Sequence, residues 1–155
     1  IGAAYHHVAN KAAMRSHTVD GPHKPYGADS MNIWTVGTGY RFDKNVALSG
    51  AYAKNTQGDV ESKLRTAWSA ELAYKGANPA DQGSWGAYLA YRHLGDYGIM
   101  FPTYNAIFTG QKGWQLGVRA TVLKNVVATF EYFDGKDIST DLKQNTVFAR
   151  VEAFF

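Results

Sequence analysis

Apolar and polar residues alternate with period two along most of the chain, in runs of about ten residues. Successive side chains of an extended strand point to opposite faces, so each run predicts a strand with two unlike faces. In the run 64–75, LRTAWSAELAYK, one face reads Leu64, Thr66, Trp68, Ala70, Leu72, Tyr74. The other reads Arg65, Ala67, Ser69, Glu71, Ala73, Lys75. The pattern recurs at 34–42, 46–53, 85–92, 114–121, 126–133 and 146–155, with a weaker run at 2–9, so eight strands are predicted. The apolar faces of the clear runs carry no charge. The opposite faces hold Arg41, Arg65, Glu71, Lys75, Arg92, Arg119, Glu131, Arg150 and Glu152.

The connections alternate in length, which is a second signal. Asp43-Lys44-Asn45 and Lys124-Asn125 read as tight turns, and 76–83, GANPADQG, is of middling length. Longer loops are predicted at 10–30, 54–63, 94–112 and 134–144. Short turns on one side and long loops on the other is the asymmetry of outer-membrane barrels. The aromatic residues agree. If the chain ends on the short-turn side, Trp34, Tyr52, Tyr91, Trp114 and Tyr132 fall at the long-loop ends of the apolar faces. Tyr40, Phe42, Tyr74, Trp85 and Phe155 then fall at the short-turn ends. Such rings favour interfaces because their bodies are apolar and the Trp N–H or Tyr O–H needs water or headgroups.

Composition narrows the field. The chain has 155 residues, no cysteine, a formal charge of +3 and 19% charged residues, below the roughly 25% usual for soluble domains. Disulfides and thiolate metal sites are excluded, and no Lys/Arg cluster offers a nucleic-acid footprint. No run of 18 apolar residues provides a transmembrane helix, so a closed barrel is the remaining way to cross a bilayer. The first residues, Ile1-Gly2-Ala3, lack an initiator Met and read as a processed or truncated start. Soluble antiparallel barrels of lipocalin type share the same periodicity, with the apolar face turned inward. Three features favour the membrane form. The polar faces are rich in Gly, Ala, Ser and Thr, the aromatics sit at strand ends, and the last residue is Phe. The expected fold is all-β: a single transmembrane antiparallel up-and-down β-barrel domain over 1–155, complete with eight strands or part of a barrel of about 16.

The closing run, with Val147, Ala149, Val151 and Ala153 alternating toward Phe155, resembles the C-terminal assembly signal of bacterial outer-membrane proteins. That resemblance implies that the barrel-assembly machinery recognises Val151, Ala153 and Phe155. The whole chain resembles the C-terminal part of a bacterial porin. This implies an outer-membrane location, lipid as a partner, passive diffusion of small polar or anionic solutes, a homotrimer and no cofactor. The start, GAAYHHVAN, and the glycine-rich strands are also similar to the barrel part of the S-layer-homology porins. The wall-gripping module of that family has no counterpart in these residues, so no tethering role is assigned.

No catalytic set is apparent, and no enzyme is expected. His6, His7, His17, His23 and His93 lack HExxH spacing, and His6 and His7 point to opposite faces of one strand. Gly37-Thr38-Gly39 is not a phosphate loop, because no helix follows it. The candidate pore-lining residues are Arg41, Arg65, Glu71, Arg92, Arg119, Glu131, Arg150 and Glu152. A tight Lys124-Asn125 hairpin would bring Arg119 close to facing Glu131 as a cross-strand ion pair. Arg65, Arg92, Arg119 and Arg150 are expected near mid-strand, where a ladder of arginines would favour anions in a wide pore. In a self-contained eight-stranded barrel the same residues would form a paired polar plug with a structural or anchoring role. Loop 94–112 is unusually apolar, with Ile99, Met100, Phe101, Tyr104, Ile107 and Phe108. It is expected to fold over the mouth, into the lumen, or against a neighbouring subunit; the plainer expectation is a loop covered by its own neighbours.

Overall fold

The structure, a computed structural model, describes residues 1–9, 30–57, 61–99 and 102–155. Eight strands follow one another: β1 (Gly2–Ala9), β2 (Ser30–Arg41), β3 (Val46–Asn55), β4 (Thr66–Lys75), β5 (Trp85–Leu94), β6 (Gln111–Leu123), β7 (Val126–Asp137) and β8 (Lys143–Ala153). Each pairs antiparallel with the next in a single sheet, in the order β1 to β8. The predicted alternation fixes this register. Leu48, Leu72, Leu89 and Leu116 lie opposite one another across four strands, so their faces match.

The sequence predicts a closed barrel, but the sheet is open. Among the described residues β1 pairs only with β2, and β8 only with β7. A physical reason is the space demanded inside. The interior of an eight-stranded barrel is just filled by side chains. Here one face also holds a folded loop, which an eight-stranded closure would leave no room for.

That loop joins β5 to β6. Its buried residues Ala106 and Ile107 pack with Met31, Ile33, Ala53, Ala67, Leu94 and Phe133, and Tyr97, Ile99, Tyr104 and Phe148 close around them. The strand residues of this cluster lie on the face predicted to be polar (Ala53, Ala67, Phe133, Phe148) or continue it past the predicted runs (Met31, Ile33, Leu94), and all except Phe148 lie toward the long-loop ends. The core of the molecule therefore sits on that face, called the inner face below. Of the three placements expected for the loop, it takes the inward one. Met100 and Phe101 lie outside the described residues, as does most of loop 10–30 with His17 and His23.

The loop is anchored at its start. The Gly95 N–H donates to Thr66 O and the Tyr97 N–H to Leu64 O. A Cβ at Gly95 would stand 2.5 Å from both carbonyl oxygens, so only glycine permits this approach. Leu64 is buried in a short helical turn, α1 (Ser62–Arg65). Arg65 therefore stands in that turn and not mid-strand as expected, because β4 begins only at Thr66.

At the opposite end the turns are as tight as predicted. Asp43 Oδ1 accepts from the Asn45 and Val46 N–H groups at 2.6 and 2.8 Å, an Asx turn that starts β3. The β6–β7 turn carries Asn125 at φ 62°, a conformation Asn tolerates. A register shift between Thr121 and Leu123 adds one residue to β6 just before it. Without that bulge a two-residue turn would set Arg119 opposite Phe130, on the wrong face. With it, Arg119 faces Thr129 and Glu131 faces Gly117. The expected Arg119–Glu131 pair is thus corrected: Arg119 lies 3.6 Å from Glu152 instead.

Candidate functional site

The inner face carries two separate polar clusters. The first lies under the β5–β6 loop. Arg92 on β5 donates from Nη2 to Glu71 Oε2 at 2.5 Å and from Nε to Gln115 Oε1 at 2.7 Å. The Gln115 amide donates to Glu131 Oε2 at 3.1 Å and to Tyr88 Oη at 3.0 Å. Asn105, on the loop, donates to Glu131 Oε1 at 3.1 Å. The Tyr104 ring lies 3.8 Å from the centre of the Arg92 guanidinium, a cation–π contact. Arg92, Gln115 and Glu131 are 3%, 1% and 6% exposed, so solute in a lumen would not touch them. Gly117 makes room for Tyr88: a Cβ there would lie 2.0 Å from the ring.

The second cluster lies nearer the short turns. Arg119, Thr129 and Arg150 stand side by side in register on β6, β7 and β8. Glu152 Oε2 lies 2.9 Å from Arg150 Nη2 and 3.6 Å from Arg119 Nη2. Both arginine side chains are open to solvent, 50% and 40% exposed. Here one carboxylate serves two arginines, whereas in the first cluster Arg92 meets Glu71 directly and Glu131 only through Gln115.

The remaining predicted residues scatter. Arg41 is exposed at the end of β2. Lys75 leaves the inner row: its backbone turns to φ 55°, and its ammonium sits 5.3 and 5.2 Å from the ring centres of Tyr74 and Trp85. The long aliphatic stem lets that charge reach the aromatic rim. His6 and His7 do point to opposite faces, with His7 Nδ1 2.6 Å from Asn32 Oδ1 and His6 lining a cavity on the inner side. That cavity, of about 380 Å³, is walled largely by apolar side chains, among them Ile33, Ala67, Leu94, Ile99 and Tyr104.

The outer face is bare and aromatic. Trp68 stacks on Tyr91 with centroids 5.4 Å apart, and Tyr91 meets the Trp114 edge at 5.1 Å. Tyr5 joins Trp34 at 4.7 Å. At the short-turn side Tyr40 meets Phe42 at 5.0 Å and Tyr74 meets Trp85 at 5.7 Å. The row Leu48, Leu72, Leu89 and Leu116 runs between these groups, each more than 40% exposed. Val151 and Ala153 are exposed near the end of β8, and Phe155 is fully exposed just beyond it.

Gln115, Tyr88 and Thr129 share the inner face by alternation but carry no charge, the signal by which sequence marks a lumen candidate. Tyr104 and Asn105 carry no strand signal, and Trp68, on the apolar face, joins the long-loop aromatic band through Tyr91. No protein-family model matches this chain, and no curated protein matches it.

Proposed function

We propose that these strands form part of the wall of an outer-membrane porin-type barrel that admits small hydrophilic solutes. The observation that carries this reading is the inversion of the faces. The outer face is uncharged along its middle, aliphatic at its centre and aromatic at both margins, yet it is open to its surroundings. Between the aromatic bands the charged residues are on the inner side, some of them buried; Lys54, Lys112, Asp134, Lys136 and Lys143 carry charge on the outer side only at and beyond the long-loop band. A sheet of this kind in water would expose far more contiguous apolar surface than soluble monomers carry. In lipid it matches the apolar band and interfacial aromatics of a membrane barrel. A self-contained eight-stranded anchor is less consistent, because among the described residues β1 and β8 each keep one unpaired edge, and every edge in a bilayer needs a partner. Porin lineage, trimer formation and recognition of Val151, Ala153 and Phe155 by the assembly machinery belong to the same proposal.

The test is extraction followed by reconstitution. The protein should partition into detergent and not buffer, and in planar bilayers it should give stepwise conductance. Membrane insertion without any conductance would overturn the porin reading, and full solubility in buffer would overturn both.

A further inference from the structure

We propose that the recess between the β2–β3 and β4–β5 turns is a docking site for the phosphate headgroup of an anionic phospholipid, held by Lys44 and Lys75 beside Trp85. The inference rests on the reading of the outer face as lipid-facing and names the lipid that this margin selects. Three observations carry it. First, the recess stands where headgroups lie. It holds about 370 Å³ and is lined by Lys44 and Asn45 on one side and by Lys75, Gly83 and Trp85 on the other. Trp85 is 43% exposed there and Tyr74 packs on it, so the recess opens at the short-turn aromatic margin. Such rings mark the headgroup level of a membrane barrel. Second, the charge is unbalanced. Among the described residues no carboxylate lines the recess, and neither ammonium makes an ion pair. Asp43, in the same turn as Lys44, already accepts the Asn45 and Val46 N–H groups through Oδ1. At the opposite margin the lysines are neutralised: Lys112 and Lys136 meet Asp141, and Lys143 meets Asp134. Third, Lys75 is held in place. Its φ of 55° is a left-handed conformation in which lysine is uncommon. Its ammonium lies 5.3 and 5.2 Å from the ring centres of Tyr74 and Trp85. Backbone outliers of this kind persist where the surroundings fix them, and they cluster at functional sites.

A phosphodiester seated here would accept from both ammoniums. The cation–π contact fixes the Lys75 charge without supplying a counter-charge. The acyl chains would run along the outer face past Tyr74 to Leu72, two residues away on the same face and part of the exposed leucine row. That continuity makes the ligand a lipid and not dissolved phosphate. An anionic lipid is favoured over a zwitterionic one, whose own ammonium would meet two lysines.

The protein, labelled with 5-fluorotryptophan and held in a neutral detergent, is titrated with short-chain phosphatidylglycerol while the 19F signals of its four tryptophans are followed. The Trp85 signal, assigned by Trp85→Phe, should shift and saturate. The Trp34 and Trp114 signals, at the opposite margin, should show no saturable shift. Lys44→Gln and Lys75→Asn should each weaken binding about fivefold. Asn tolerates the left-handed turn, so Lys75→Asn removes the charge and keeps the backbone. Lys112→Gln should leave the affinity unchanged, and inorganic phosphate and short-chain phosphatidylcholine should bind more weakly than phosphatidylglycerol. A Trp85 shift that never saturates, affinity unchanged in both lysine variants, an equal loss in Lys112→Gln, or equal affinity for inorganic phosphate or phosphatidylcholine would overturn the site. Flotation with phosphatidylcholine vesicles is recorded on the same preparation. A protein that floats without the Trp85 response keeps the lipid-facing reading and loses the site; a protein that stays in buffer loses both.

Discussion

Arg92 has no water against which to trade its charge. It is 3% exposed, and its two hydrogen bonds and its aromatic contact come from three separate elements: β4, β6 and the β5–β6 loop. Removing one partner of a fully buried pair costs about 3–5 kcal/mol, because the other charge is stranded; Glu71 keeps 30% exposure, so the cost here falls toward the lower end. Arg119 is half exposed, and an exposed pair contributes about 0–1 kcal/mol. Arg92→Gln should therefore lower unfolding stability in detergent by several kcal/mol, while Arg119→Gln shifts it by less than about 1 kcal/mol. Equal effects in a urea titration would mean that the buried network holds nothing. Gly117 offers a second residue-scale test. A methyl there collides with the Tyr88 ring, so Gly117→Ala should cost about 1–3 kcal/mol. Tyr88→Ala in the same chain should recover most of the clash; if it does not, the strand itself and not the ring sets the requirement.

At the scale of elements, the strands were legible in the sequence because alternation follows directly from the backbone, and all eight are found. Their bounds were less so. β6 begins at Gln111 and β7 runs to Asp137, since these strands continue past the apolar-alternating stretch into polar residues that still pair. The inward course of the β5–β6 loop was not decidable. Apolar residues at 99–108 require burial somewhere, but no period says against what. Arg65 was misplaced for a related reason: a single helical turn leaves too few residues for a period to appear. The loop makes its own prediction. Ile107 is fully buried, and Ile107→Asp would place a charge without a partner in that cluster. The variant should release the loop, seen as new protease cleavage between 99 and 110, and unit conductance should rise if the inner face lines a pore. Unchanged cleavage would mean that the loop is held by its anchors at Gly95 and Asn105 alone. In the β7–β8 connection, Asp141 adopts φ 56°, and its Oδ1 accepts from Lys136 at 2.6 Å. That hydrogen bond, aided by the Lys136 charge, holds its carboxyl below the ordinary value. A depressed carboxylate stabilises the fold above its unfolded pKa of about 3.9 and loses that contribution as pH falls through the lower folded value. The connection should thus be insensitive to pH near neutrality. Asp141→Asn, which also tolerates the left-handed turn, should cost less than Asp141→Val in thermal unfolding.

For the whole molecule the deciding quantity is the solvent of the outer face. Leu48, Leu72, Leu89 and Leu116 form one row, exposed, in register, and flanked by aromatic groups on both sides. Water and lipid make opposite demands on that row. In water, a polar replacement at an exposed strand position shifts stability by no more than about 0.5 kcal/mol, and an added charge improves solubility. In a bilayer, the row lies near the midplane, where an arginine costs about 2–4 kcal/mol, falling to about 0–1 kcal/mol near the interfaces. A scan of arginine along one outer face separates the two. Leu116→Arg should be the costly substitution in lipid vesicles, and Trp114→Arg, two residues toward the long-loop side, should cost less for its charge despite the larger side chain removed. The same pair measured in a soluble sheet would reverse, since Trp114 packs on Tyr91 whereas Leu116 has only its leucine neighbour and Tyr132 across the ladder. A depth profile peaking at the leucine row would fix the outer face as lipid-facing, and with it the inner face as the side from which solutes meet Arg119 and Arg150. A flat profile would return the sheet to water and leave its apolar face to be covered by protein.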